Sequence, residues 1–185
     1  MATYPSRGFT ARQRGARASG VITTAACMIL SIGCLRAEEK AEMPMLVGLV
    51  KPAQILKISP EWKAGYEAYT PDASALAKIR EAAALAKGEI RIEVVLGSWC
   101  GDSLDQVPRF IKIHKQLSGT RIPAVYVGVD RAKKDPDGRT ASLKIERVPT
   151  FIVYWKSAEI GRIIETPKTT VEADLAEILS HPGQP

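Results

Sequence analysis

Ile90-Arg-Ile-Glu-Val-Val-Leu96, running into Gly97-Ser-Trp-Cys-Gly-Asp-Ser103, is the stretch on which the fold turns. Its first half alternates and then becomes continuously apolar, the pattern of a strand entering a covered sheet. Beyond the turn, Val107, Phe110, Ile111, His114 and Leu117 recur at helical spacing, and Ser118-Gly119 closes the pattern. Pro108 lies inside this helix, so a kink is expected about two turns from its start. Ile122 to Val129 reads as another apolar strand. Strand, helix and strand of these lengths predict a right-handed βαβ unit.

The pattern continues on both sides of that unit. Upstream, Thr70-Pro71-Asp72 opens a helix that runs from Ala73 to Lys87, and Gly88 is its expected stop. Residues 38–70 are mixed, with Pro44, Pro52 and Pro60 among short apolar pieces. They read as an extension packed on the core, with Trp62, Tyr66 and Tyr69 as its docking residues. Downstream, Asp130 to Arg139 is a charged loop containing the turn sequence Asp135-Pro-Asp-Gly138. It lacks the alternating ligands and closing Glu of a calcium loop. Val148 to Trp155 and Glu159 to Glu165 form a hairpin joined at Lys156-Ser-Ala158, with Tyr154 and Trp155 as packing residues. Val171 to Leu179 is a final amphipathic helix. The predicted fold class is α/β, a central mixed sheet flanked by helices. Residues 38–88 supply the N-terminal extension and helix, and 89–181 the core.

The first 37 residues hold Arg7, Arg12, Arg14, Arg17 and Arg36 and no acidic residue. The whole chain has 26 basic and 20 acidic side chains, so most of its +6 charge belongs to this leader. The remainder is near neutral, which excludes a nucleic-acid partner. A basic stretch to Arg17 followed by the apolar run Val21–Leu35 reads as a secretory signal, residues 1–37, cleaved after Ala37. That run is shorter than the roughly 20 residues a membrane span requires. Leu30-Ser-Ile-Gly-Cys34 allows a second reading, a degraded lipoprotein signal that would attach lipid at Cys34. A retained membrane anchor is the third. The expected location is exported, periplasmic or extracellular, lipid-anchored if Cys34 is modified.

Of the three cysteines, Cys27 and Cys34 lie in the leader, so cleavage leaves Cys100 alone. A lone thiol in an exported chain is a reactive group, an intermolecular partner or a buried bystander. With two histidines and one mature cysteine, ligands for a zinc or haem site are too few, and no cofactor is expected. Ser103 has no His–Asp pair in view, which argues against a hydrolase nucleophile. Cys100 sits where a strand gives way to a helix, and free N–H groups and the helix dipole there favour an anion. The thiolate is the nucleophilic form of cysteine. Ser103, three residues on, could donate to the sulfur, whereas the Asp102 carboxylate opposes the thiolate.

From about Glu89 to Ser180 the chain resembles the thioredoxin family. Trp99-Cys100-Gly101 stands at the strand-to-helix turn, Pro108 follows eight residues after the cysteine, and Val148-Pro149-Thr150 opens the next strand. Gly161 and a closing helix complete the order. The resemblance implies a cis peptide bond before Pro149 and a substrate site shaped by Trp99, Gly101, Asp102, Val148 and Pro149, with the backbone of Val148 offered to substrate beside Cys100. Two departures stand out. Ser103 occupies the place of the family's resolving cysteine, and Val94 occupies that of its buried acid. Glu93 is adjacent, but strand alternation points it to the opposite face.

A dithiol cycle within the chain is thereby excluded. The expected function is monothiol–disulfide exchange at Cys100: isomerisation, deglutathionylation-like transfer, or capture of a cysteine substrate. Its partners are protein or small-molecule thiols and disulfides, and an external reducing thiol is required. The alternative is a non-catalytic binding or chaperone-like module with a degenerate site. A cytochrome-maturation reductase is disfavoured by the missing second cysteine.

Overall fold

The computed structural model describes residues 44–86 and 89–180. The leader with Cys27, Cys34 and Ala37, the helix stop at Gly88, and residue 181 lie outside the described residues. In chain order the elements are β1 Gly48–Val50, α1 Pro52–Ile55, α2 Pro60–Ala68, α3 Ala73–Leu85, β2 Ile90–Leu96, α4 Gly101–Gln116 and β3 Ala124–Gly128, then a 3-10 turn Arg139–Ser142, β4 Thr150–Trp155, β5 Ala158–Ile164 and α5 Val171–Ser180. The five strands make one sheet in the order β1-β3-β2-β4-β5. β2 and β3 run parallel, and the pairs β1–β3, β2–β4 and β4–β5 are antiparallel. The protein is therefore α/β, with a five-stranded mixed sheet flanked by helices.

Register decides what faces the core. Val94 stands opposite Tyr126 on one neighbour and Phe151 on the other. With Ile90, Ile92 and Leu96 it joins one apolar cluster to which α2, α3, α4 and α5 contribute Trp62, Ile79, Phe110 and Leu175. Phe110 is its centre, with ring centroids 5.2 Å from Phe151 and 6.0 Å from Tyr126. Such tilted aromatic pairs add about 0.5–1.5 kcal/mol each beyond area burial. Glu93, one residue from Val94, faces away from this cluster and pairs with Arg91 at 3.4 Å.

Element ends follow local chemistry. The Asp72 carboxylate accepts the Ala75 amide at 2.7 Å and caps α3. β3 starts two residues later than expected because Pro123 has no N–H, although its carbonyl accepts the Ile92 amide at 2.9 Å. β4 likewise begins at Thr150, after a cis Val148–Pro149 bond. The hairpin loop is two residues, Lys156-Ser157, with Lys156 at φ 57, so Ala158 is already in the strand. α4 is unbroken across Pro108. Gly65 of α2 fits against that proline: a Cβ there would lie 3.5 Å from Pro108 and 3.9 Å from the Leu104 carbonyl that proline leaves without its helical donor.

Residues 44–70 are more than a packed-on extension. β1 is the fifth strand of the sheet, covering the edge that β3 would otherwise expose. Trp62 is fully buried in the main core. Tyr69 donates its hydroxyl to both oxygens of Glu172 on α5, at 2.9 and 2.8 Å, and Glu172 also accepts the Asp72 amide at 2.8 Å. Burial and the Glu172 hydrogen bond push the Tyr69 phenol well above its ordinary pKa. Among the described residues no helix is long and apolar enough to cross a membrane.

Candidate functional site

β2 delivers the turn Gly97–Cys100 to the start of α4, and Cys100 occupies the N-cap position with extended backbone, φ −96 and ψ 129. Its amide closes the turn onto the Gly97 carbonyl at 2.9 Å, while its carbonyl accepts the Leu104 amide at 3.0 Å. The side chain is half-buried and is a free thiol among the described residues. Its Sγ–H is directed at the Val148 carbonyl, 3.0 Å away, beside the cis bond to Pro149. Residues 48 positions apart in the chain thus meet at the sulfur.

Trp99 is half-buried, and its indole N–H donates to the Val129 carbonyl at 3.1 Å. Trp99 and Cys100 pack on a small apolar cluster of Val95, Val129 and Val148, separate from the main core. Leu143 and Ile145 pack on the same cluster. Gly101 and Asp102 are exposed in the first turn of α4. Pro149 is buried with Val148 and Thr150. The expected site residues Trp99, Cys100, Gly101, Asp102, Val148 and Pro149 therefore converge at one end of β2 and β4.

Ser103 does not serve the sulfur. It is fully buried, and its hydroxyl oxygen accepts the Gly97 amide at 3.2 Å. No hydrogen bond joins Ser103 to Cys100 among the described residues. The reason is geometric: from the first turn of α4 the Ser103 side chain points inward, under the Gly97–Cys100 turn, while Cys100 faces the Val148 segment.

Ser98, which sequence reasoning passed over, is a structural part of the site. It is fully buried, accepts the Leu46 amide at 3.0 Å and donates to the Pro44 carbonyl at 2.9 Å. The backbone leading into β1 is thereby tied to the residue two before Cys100. Gly128 on β3 permits the same approach, since a Cβ there would collide with the Leu46 carbonyl. No local signal marks Ser98, because its partners lie more than fifty residues earlier.

The segment between β3 and β4 is organised around one buried carboxylate. Asp135 accepts the amides of Thr140 at 2.8 Å, Arg139 at 3.0 Å and Asp137 at 3.1 Å, and the Thr140 hydroxyl at 2.7 Å. Burial would raise its pKa, but these hydrogen bonds, those of Thr140 foremost, outweigh it and hold the carboxyl below its ordinary value. Its oxygens are committed to the loop's own backbone. Among the described residues no group of three His, Cys, Asp or Glu side chains gathers as a metal site would need. His114 bonds the Ile122 carbonyl at 2.9 Å and stacks on Phe110, a structural role.

Fold and site together define an α/β protein with a half-buried thiol at the N-terminus of its central helix, facing a cis-proline segment. No protein-family model matches the chain, and no curated protein matches it. Among solved structures, the crystal structure of a protein of unknown function from Pseudomonas aeruginosa is 17% identical, with 71% of this chain and 96% of that chain covered, at a TM-score of 0.36.

Proposed function

We propose that this chain is a thioredoxin-like protein that performs monothiol–disulfide exchange through Cys100, in the exported setting that the leader implies. The observation that carries the reading is the meeting of the Cys100 sulfur with the Val148 carbonyl at 3.0 Å, beside cis Pro149 and at the start of α4. In the exchange, Cys100 gives up its proton to water and its thiolate attacks one sulfur of a substrate disulfide. A new Sγ–S bond forms as the substrate S–S bond breaks, and the other half leaves with the electron pair as a thiolate. An external thiolate then attacks the mixed disulfide and frees Cys100. Trp99 and the Val148–Pro149 segment flank the sulfur and would shape the approach of the substrate.

The test is turnover of 2-hydroxyethyl disulfide by an added monothiol, measured above the uncatalysed rate. The full chain is expected to accelerate it, Cys100→Ser to bring it back to background, and the pair Cys27→Ser with Cys34→Ser to keep the acceleration. Turnover that survives in Cys100→Ser, or a native Cys100 that reacts no faster than in urea, overturns the reading. A second reading, a non-catalytic binding module, is favoured by the commitment of Ser103 to Gly97 rather than to the sulfur. It predicts partner binding that is indifferent to Cys100→Ser.

A further inference from the structure

Beside the Cys100 cluster lies a concave groove of about 640 Å³, lined by Lys133, Lys134, Lys144 and Ile145 together with Asp135, Gly138 and Glu146. That volume falls in the range of small-molecule sites, about 300–1,000 Å³. One lining residue, Ile145, packs on the same Val95–Val129–Val148 cluster as Cys100 and Trp99. Arg131, on the same segment, stands over the Trp99 ring at 5.2 Å.

The charges in this region are unevenly spent. Arg139 pairs with Asp137 and Arg147 with Glu165. Asp135 is consumed by four donors from its own loop. Lys133, Lys134 and Lys144 have no carboxylate partner among the described residues, and Lys134 and Lys144 are exposed. Glu146 is the one carboxylate of the groove lining that those loop donors do not occupy. The groove lining thus sets three ammonium groups against the carboxylates of Asp135 and Glu146, a small positive excess.

We infer that the groove selects the substrate of Cys100: a small disulfide bearing carboxylates. This rests on the exchange reading above and adds the substrate class to it. The ammonium groups of Lys133, Lys134 and Lys144 hold the carboxylates while the disulfide reaches Cys100 past Ile145. The exchange itself is the one already balanced, with one half of the anionic disulfide bonded to Sγ and the other leaving as its thiolate. Attraction of this kind raises encounter rates by factors of ten or more and is screened by salt.

Three disulfides of one scaffold separate the possibilities: dianionic 3,3′-dithiodipropionate, neutral 2-hydroxyethyl disulfide and dicationic cystamine. Modification of Cys100 in the native full chain is followed by mass spectrometry of the tryptic peptide Ile92–Arg109, which excludes Cys27 and Cys34. Each rate is divided by that of the urea-unfolded chain. The dianion is expected to exceed the dication by about tenfold at low ionic strength, and 0.5 M salt to remove most of that ratio. Lys133→Glu/Lys134→Glu/Lys144→Glu is expected to invert the ratio, and Lys133→Gln/Lys134→Gln/Lys144→Gln to flatten it; circular dichroism verifies that each variant is folded. Equal normalised rates above one for the three probes, or a preference untouched by the glutamine variant, overturn the inference and leave the exchange reading standing. A native Cys100 inert to all three probes, though reactive in urea, overturns both.

Discussion

Ser103 is buried in the first turn of α4, with its oxygen committed to the Gly97 amide at 3.2 Å. A serine in this place was expected to address the sulfur, and it instead holds the turn that presents the sulfur. Ser103→Ala leaves a buried N–H without its acceptor, which costs about 1–3 kcal/mol. The expected result is a lower urea midpoint at unchanged m-value, together with a small change in the normalised alkylation rate of Cys100. A large loss of reactivity with full stability would instead place the hydroxyl in the chemistry. Cys100 stood out because a lone thiol carries chemistry wherever it stands, whereas Trp99 and Pro149 were singled out only through the resemblance to thioredoxins. Ser98 was not, because a buried serine is distinguished only by partners that the chain brings from elsewhere.

At the scale of elements, the backbone before β1 is held to the Gly97–Cys100 turn by the Ser98 hydroxyl, at 3.0 Å from the Leu46 amide and 2.9 Å from the Pro44 carbonyl. Ser98→Ala removes both bonds and leaves β1, three residues long, at a weakened edge. Amide exchange at Leu46 is expected to accelerate by at least about tenfold, the factor that corresponds to losing about 1.4 kcal/mol of local protection. Unaltered exchange at Leu46 would mean that β1 pairing alone holds the segment. The elements themselves were largely readable: β2 from its apolar run, α3 from Pro71 and Asp72, the hairpin from its turn. β1 escaped because a three-residue strand with Gly48 at φ 80 has no period to read. The shortened ends of β3 and β4 trace to prolines at their entrances.

Across the whole molecule, Tyr69 and Glu172 join the N-terminal helices to α5 over a separation of 103 residues. The buried carboxylate receives the Tyr69 hydroxyl and the Asp72 amide. Tyr69→Phe keeps the ring and removes the hydroxyl, so Glu172 stays buried with one donor fewer. Hydrogen bonds to charged groups contribute about 1.5–3 kcal/mol, and a loss of that size is expected from urea unfolding. A loss below about 0.5 kcal/mol would show that solvent or another donor compensates.

The sequence by itself determined the α/β class and the strand–turn–helix that carries Cys100. Both depend on residue type and short-range periodicity, which the chain displays locally. Tertiary structure alone decided that residues 44–70 complete the sheet and core, that Ser103 faces Gly97, and that Ser98 ties β1 to the site. It also decided that Lys133, Lys134 and Lys144 line one groove, with no carboxylate partner among the described residues. Each of these depends on which distant backbone a side chain meets, and that is set only when the sheet closes and the helices pack.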